Sequence, residues 1–125
     1  NSIYMSAVCR CYPGKNVKGS GDRVPTELEI KKCAKWLNFE IEKLKPKLII
    51  PVGKLAISQF LAFDKLNEVV GKKIVYSKNN CKIDIVSLPH PSGLSTWYKK
   101  DPGKNLLIDA LEIIKNNYYW QLLLR

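Results

Sequence analysis

The stretch KLIIPVG, residues 47–53, decides the predicted fold. Its apolar residues follow one another without the alternation expected of a strand that has one face in water. Such an unbroken run is typical of a strand buried on both faces, as in a parallel sheet covered by helices. Gly53 then marks a tight turn into a predicted helix, KLAISQFLAF, over residues 54–63. The stretch therefore predicts a strand, a turn and a helix in immediate succession.

Helices are predicted on both sides of this stretch. The sequence TELE places Thr26 and Glu29 in a capping box, and apolar residues then recur at helical spacing until Pro46 ends the helix. Near the end of the chain, GKNLLIDALEIIKNNYYW predicts a last amphipathic helix over residues 103–120.

Strands are predicted before and after these helices. Ile3–Val8 is rich in β-branched and aromatic residues. Two extended segments flank the turn KNN, and the second, Ile83–Val86, leads directly towards His90. The alternation of strands and helices predicts an α/β fold, an open parallel sheet flanked by helices on both faces, in a single domain over residues 1–125.

The carboxyl edge of this sheet is the predicted ligand site. In open parallel sheets, ligands bind outside the carboxyl ends of the strands. The loops that follow Val8, Val52 and Val86 all open on that edge, so we expect the Gly53 loop and the His90 loop to face each other across one cleft.

Composition narrows the class of partner. The chain has 125 residues with 21 Lys and Arg against 11 Asp and Glu, a net charge of +10. Such a balance favours a polyanionic partner, with a merely solvated lysine-rich surface as the alternative. Nothing in the sequence reads as a membrane span or a signal peptide, so we expect a cytoplasmic protein whose four cysteines are reduced.

His90 is the only histidine, and it lies in the stretch LPHPSGLSTW, residues 88–97. The rings of Pro89 and Pro91 fix two backbone φ angles beside it. A hydrogen-bond donor held in this way at the mouth of a sheet suits the stabilisation of a developing anion. The alternative is a structural histidine at a turn.

The five residues that follow Pro91 are mostly small and polar. Ser92, Gly93, Ser95 and Thr96 offer hydroxyl and backbone N–H groups of the kind that bind phosphate oxygens, although such residues are also common in any loop. Leu94 is the apolar exception. It either packs into the core or acts as a wedge that enters a base stack.

The loop PGKNVKGSGDR, residues 13–23, combines three glycines with Lys15, Lys18 and Arg23. It either tracks a nucleic-acid backbone or is a flexible solvated loop, and it lacks the spacing of a phosphate-binding Walker A loop. Cys9 and Cys11 are too close together for the usual zinc knuckle, so no metal site is predicted.

Taken in order, three motifs resemble the uracil-DNA glycosylase superfamily: CYPGK with GSGDRVPT, then PKLIIPVGKLAI, then LPHPSGLSTW. The resemblance extends over nearly the whole chain. It implies an α/β/α sandwich and an enzyme that flips uracil out of DNA and cleaves its N-glycosidic bond. It also implies DNA containing uracil as the partner, single-stranded or double-stranded, and a monomeric, nucleoid-associated protein.

The resemblance assigns roles to individual residues. His90 would donate a hydrogen bond to uracil O2 and stabilise the departing uracil anion. Leu94 would fill the space left by the flipped base. The remaining positions that it places against substrate or DNA are Ser6, Lys15, Arg23, Gly53, Lys54, Ser92, Gly93 and Ser95.

The chain also departs from the family pattern. The first active-site motif of the family is not found in these residues, so we expect the natural protein to extend N-terminally and this chain to be the C-terminal portion of the domain. Ser6 and Ala7 stand where many members carry a uracil-reading Asn. Some members hold a four-cysteine iron–sulfur cluster, and Cys11 and Cys33 resemble the later two ligands. Their spacing is longer here and the earlier pair is not found in these residues, so no cofactor is expected, with an iron–sulfur cluster at Cys11 and Cys33 as the less favoured alternative.

Three functions are compatible with these observations. The first is a DNA repair glycosylase. The second is a non-catalytic DNA-binding relative that keeps the histidine loop. The third is an unrelated α/β module that binds a nucleotide or RNA.

Overall fold

The computed structural model describes residues 3–6, 26–78, 80–91 and 97–124. These residues divide into two compact units, one within residues 4–45 and one formed by residue 3 with residues 46–124. No helix within the described ranges is long and apolar enough to cross a membrane.

The first unit contains helix α1, Glu27–Leu44. The predicted capping box is confirmed: Glu29 N donates to Thr26 Oγ1 at 3.2 Å, and Thr26 N donates to Glu29 Oε1 at 2.9 Å. The helix ends at Lys45, which has a left-handed φ of 47° and donates its N–H to Ile41 O. The start of the helix therefore follows from local chemistry that is visible in the sequence, and its C-cap, Lys45, directly precedes Pro46, where the sequence predicts the end.

The predicted strand Ile3–Val8 is wrong over residues 3–6, the part of it that the structure describes. Ile3–Ser6 has no regular secondary structure, and Tyr4 and Met5 are exposed. Ala7 and Val8 lie outside the described residues. β-branched and aromatic composition favours a strand only where a neighbouring strand supplies hydrogen bonds, and sequence composition does not report that neighbour.

The second unit is built on a three-stranded sheet. Its strands are β1 (Leu48–Ile49), β2 (Lys73–Lys78) and β3 (Cys81–Val86), in the order β1-β3-β2. β1 runs parallel to β3, whereas β2 runs antiparallel to it. The α/β class is confirmed, but the all-parallel sheet is wrong. Lys78 pairs with Cys81, only three positions further along the chain, and a connection that short permits only antiparallel neighbours.

The helices of this unit are shorter than predicted. They are α2 (Lys54–Ser58), α3 (Gly103–Asn116) and α4 (Tyr118–Leu123), together with 3₁₀ turns at Leu66–Glu68 and Trp97–Lys99. The helix predicted over residues 54–63 stops at Ser58, and the one predicted over residues 103–120 is interrupted at Asn117.

The core of the unit lies between β3 and the helices. Val86 of β3 and Ile57 of α2 are completely buried, and Ala110 and Ile114 of α3 join the same apolar cluster. Val70, which follows the first 3₁₀ turn, is also completely buried. The cluster fixes the end of β3, and with it the start of the His90 loop.

Asn117 explains the break between α3 and α4. Its backbone is extended, with ψ 134°, and its side-chain Oδ1 accepts hydrogen bonds from Tyr119 N at 3.0 Å and Trp120 N at 3.4 Å. Its Nδ2 donates to Asp84 Oδ2 at 3.1 Å, which links the break to the central strand. The side chain of Asn117, which is only 6% exposed, thus caps α4 and also bonds it to the sheet.

We expect Asn117→Ala to lower the free energy of unfolding by about 2 kcal/mol, because it removes a helix cap and a part-buried hydrogen bond together. Its neighbour Asn116 is exposed at the end of α3 and serves as the matched control. Asn116→Ala should change the unfolding free energy by less than about 0.5 kcal/mol. Urea denaturation followed by circular dichroism measures both, and equal losses would remove the special role of Asn117.

Candidate active site

The ends of the two parallel strands are joined by backbone hydrogen bonds. Leu88 N donates to Pro51 O at 3.0 Å, and Gly53 N donates to Leu88 O at 2.9 Å. Val52 and Leu88 form the corresponding parallel bridge. The pairing of β1 with β3 therefore continues past both strands, into the segment that leads to Gly53 and the segment that leads to His90.

Gly53 occupies the turn between this pairing and α2. It is buried, with φ 89° and ψ 159°, a backbone conformation that is essentially restricted to glycine. Its carbonyl oxygen accepts a hydrogen bond from Ile57 N at 3.0 Å. Both the N–H and the C=O of Gly53 are therefore hydrogen-bonded. This is the tight turn into a helix that the sequence predicts.

His90 lies against Gly53. A Cβ atom placed on Gly53 would be 3.4 Å from His90 Cδ2 and 3.6 Å from His90 Cβ. The expected approach of the glycine and histidine loops is therefore confirmed for these two residues, and the cleft between the loops stays a prediction. Parallel strands place their carboxyl ends at one edge of a sheet, which is why the sequence could predict the approach.

The histidine combines a held backbone with an accessible side chain. Pro89 is buried, whereas His90 and Pro91 are exposed. Imidazole donates one hydrogen bond when neutral and two when protonated, so the arrangement presents a donor on an immobilised backbone. Lys54 is exposed at the start of α2, directly after Gly53, and adds a cation to this edge.

Beyond the His90 loop, Trp97 anchors the chain to the second unit. Its Nε1 donates to Asn67 Oδ1 at 2.9 Å, and its ring packs partly buried on the apolar core. Gly103, the first residue of α3, lies so close that a Cβ on it would overlap the Trp97 carbonyl oxygen. Sequence reasoning did not find Asn67, because no periodicity or motif marks a hydrogen bond between residues thirty positions apart.

Several of the predicted site residues lie outside the described residues: Lys15, Arg23, Ser92, Gly93, Leu94, Ser95, Thr96 and the candidate cluster ligand Cys11. Ser6 is exposed and lies in a segment without regular structure. Cys33 is half-buried on α1. Within the described ranges, no group of three or more His, Cys, Asp or Glu side chains is arranged to hold a metal ion.

An open depression elsewhere on the second unit contains none of the predicted site residues. Lys73, Asp84, Glu112, Asn117 and Tyr118 are among the residues that line it. The Asp84 carboxylate already accepts a hydrogen bond from Asn117 there. We therefore assign Asp84 and Asn117 to the connection between β3 and the last two helices.

Comparison with known proteins identifies what the chain is similar to. A family model described as "Uracil DNA glycosylase superfamily" matches residues 1–115. The type-4 uracil-DNA glycosylase of Archaeoglobus fulgidus is 28% identical over 98 residues, which are 74% of this chain and 46% of the relative. The type-4 enzyme of Sulfurisphaera tokodaii is 25% identical over 97 residues, 74% of this chain and 41% of the relative.

A type-5 uracil-DNA glycosylase, from Pyrobaculum aerophilum, is 32% identical over 54 residues, 43% of this chain and 21% of the relative. The matched part of the chain thus spans less than half the length of each of these three relatives.

The bond between Trp97 and Asn67 can be measured by a double-mutant cycle. Asn67→Ala and Trp97→Phe each remove the hydrogen bond, and we expect a coupling free energy of about 0.5–1 kcal/mol because the bond is exposed. Urea denaturation of the wild type, both single variants and the double variant gives this value. A coupling of zero would mean that Trp97 is anchored by ring packing alone.

Proposed function

Because the chain belongs to the uracil-DNA glycosylase superfamily, we propose that it is a DNA repair glycosylase, which flips uracil out of DNA and hydrolyses its N-glycosidic bond. The observation that carries the proposal is the position of His90, exposed on a backbone that is fixed beside Gly53 at the joined ends of β1 and β3. A single preorganised donor at the carboxyl edge of a sheet suits a reaction in which the leaving group becomes an anion.

The proposed reaction breaks the bond between C1′ of the sugar and N1 of uracil. The electron pair of that bond leaves with the base, and negative charge develops on the ring and on O2. His90 donates an imidazole N–H to O2 and stabilises this charge. Water then supplies a hydroxyl group to C1′ and a proton to the base, which leaves an abasic site and free uracil.

Preorganisation is the reason that one donor is effective here. Leu88 donates a hydrogen bond to Pro51 O and accepts one from Gly53 N, which holds the segment on one side of His90, and the prolines restrict the backbone on both sides. The backbone that carries the donor therefore needs little reorganisation as the charge develops, which makes the donor more effective than one on a mobile segment or a water molecule.

The basic surface has a separate proposed role in holding DNA. Lys54 is an exposed cation beside the Gly53 turn, and the net charge of +10 of the chain favours binding of a polyanion. We propose that Lys15, Arg23, Ser92 and Ser95 also contact phosphates, with Gly93 allowing a close approach of the loop. Leu94 is proposed to fill the gap left by the flipped base, and Ser6 to face the base.

We expect His90→Ala to lower the rate of uracil release about 10²- to 10³-fold, because it removes the donor aimed at the developing charge. His90→Gln keeps an N–H donor, so its rate of uracil release should lie between those of the wild type and His90→Ala. The measurement is alkaline cleavage of a labelled oligonucleotide containing uracil, single-stranded and as a U·G duplex, with Asn116→Ala as the control of unchanged activity.

Equal cleavage by wild type and His90→Ala would contradict the proposal for His90. No cleavage by the wild type, with DNA binding retained, would favour the non-catalytic DNA-binding relative instead. The assay should include both the 125-residue chain and the longest natural polypeptide that contains it, because the curated relatives are more than twice as long as the part they share with this chain.

DNA binding should depend strongly on salt. If about five phosphates are neutralised, the affinity should fall roughly 500-fold between about 50 and 200 mM monovalent salt, because each contact releases condensed counterions. Lys54→Ala should reduce the slope by about one phosphate contact, whereas Lys115→Ala, which removes an exposed cation of α3, should leave it unchanged. Fluorescence anisotropy measures the slopes, and a flat salt profile would exclude DNA as the partner.

A further inference from the structure

The missing side chain of Gly53 leaves a space beside the imidazole of His90. A single carbon atom placed there would lie 3.4 Å from His90 Cδ2, 3.6 Å from Cβ and 3.9 Å from Cγ. These are ordinary van der Waals distances, so the space holds one methyl group in contact with both the ring and its stem. Such a methyl group would block any turn of the ring towards Gly53, although it would not displace the ring from its present position.

Movement of the ring matters for the reaction proposed above. Catalytic hydrogen bonds are often long or poorly aligned without substrate, and they tighten only when the substrate is bound. Cδ2 is bonded directly to Nε2, so a turn of the Cδ2 edge also moves that nitrogen. The surrounding backbone cannot provide this adjustment, because Leu88 and Gly53 are hydrogen-bonded to each other and the flanking prolines restrict φ.

We propose that Gly53 is a positioning residue for His90, and that its bare α-carbon gives the imidazole the room to turn onto its acceptor. This inference rests on the proposed glycosylase activity, in which His90 carries the donor. Filling the space would hold the ring in its unliganded orientation. The loss would fall on an interaction made in the transition state, and therefore on kcat more than on KM.

The test uses Gly53→Ala, with Gly71→Ala as the matched control. Gly71 also has a positive φ, 87°, and a Cβ there would approach Leu106 Cδ2 at 2.9 Å, so the substitution also strains the fold. The contacts that a Cβ would make there are with Leu106 and not with His90. If Gly71→Ala does not fold, wild-type protein in enough urea to match the stability of Gly53→Ala replaces it.

The first readout is the kinetics of uracil release, corrected for the folded fraction of each variant. We expect kcat of Gly53→Ala to fall about 10- to 100-fold, with KM changed less than about threefold. The control should keep the kcat of the wild type. Equal kcat values for Gly53→Ala and the wild type, or equal losses in both glycine variants, would overturn the inference.

The second readout does not need activity. His90 is the only histidine, so protein labelled with ¹³C-histidine gives one Cδ2–Hδ2 signal. In Gly53→Ala we expect a nuclear Overhauser effect between the new methyl group and Hδ2, together with a higher order parameter for the Cδ2–Hδ2 bond. An unchanged order parameter would overturn the inference whether or not the protein cleaves DNA. A wild type that cleaves nothing would instead overturn the proposed function, and the spectra would still decide whether Gly53 controls the movement of the ring.

Discussion

The two hydrogen bonds of Leu88 are the interaction on which the candidate site depends. Leu88 N binds the carbonyl oxygen of Pro51, and Leu88 O binds the amide of Gly53, so one residue joins the ends of β1 and β3. Without them, the parallel pairing would end with the two strands, and the turn and the histidine loop would diverge. Burial supports the same arrangement, because Val86 packs into the core immediately before this point and Pro89 is buried immediately after it. The position of the His90 backbone is therefore set by the pairing at the end of the sheet.

The sequence predicted those features that local chemistry or strand direction determines. The capping box located the start of α1, since its two hydrogen bonds involve residues three positions apart. The approach of Gly53 to His90 followed from two apolar strands of the same direction, each ending in a turn. Both predictions used information contained in short segments, together with one general rule about parallel sheets.

The features that the sequence did not predict depend on partners far away along the chain. The break after α3 falls at Asn117, whose side chain also binds Asp84 of β3, and the helical periodicity of residues 103–120 gives no sign of that partner. Ile3–Ser6 has the composition of a strand without adopting one in the described structure. The bond between Asn67 and Trp97 is of the same kind. Single-residue propensities report what a segment prefers when alone, and tertiary hydrogen bonds decide where that preference is overruled.

At His90 the backbone is fixed but the imidazole is exposed, and this difference affects how the base specificity of such a site can change. The backbone on either side is fixed by a proline and by the pairing of Leu88, whereas the imidazole itself is exposed. A donor placed in this way stabilises charge on a leaving group without reading the rest of that group. In the proposed reaction, the choice of base then falls to other positions, among them Ser6, which is proposed to face the base. Substitutions there could change which base is accepted while the Leu88 pairing and the Gly53 turn keep the donor in place, because neither depends on the identity of the residue that reads the base.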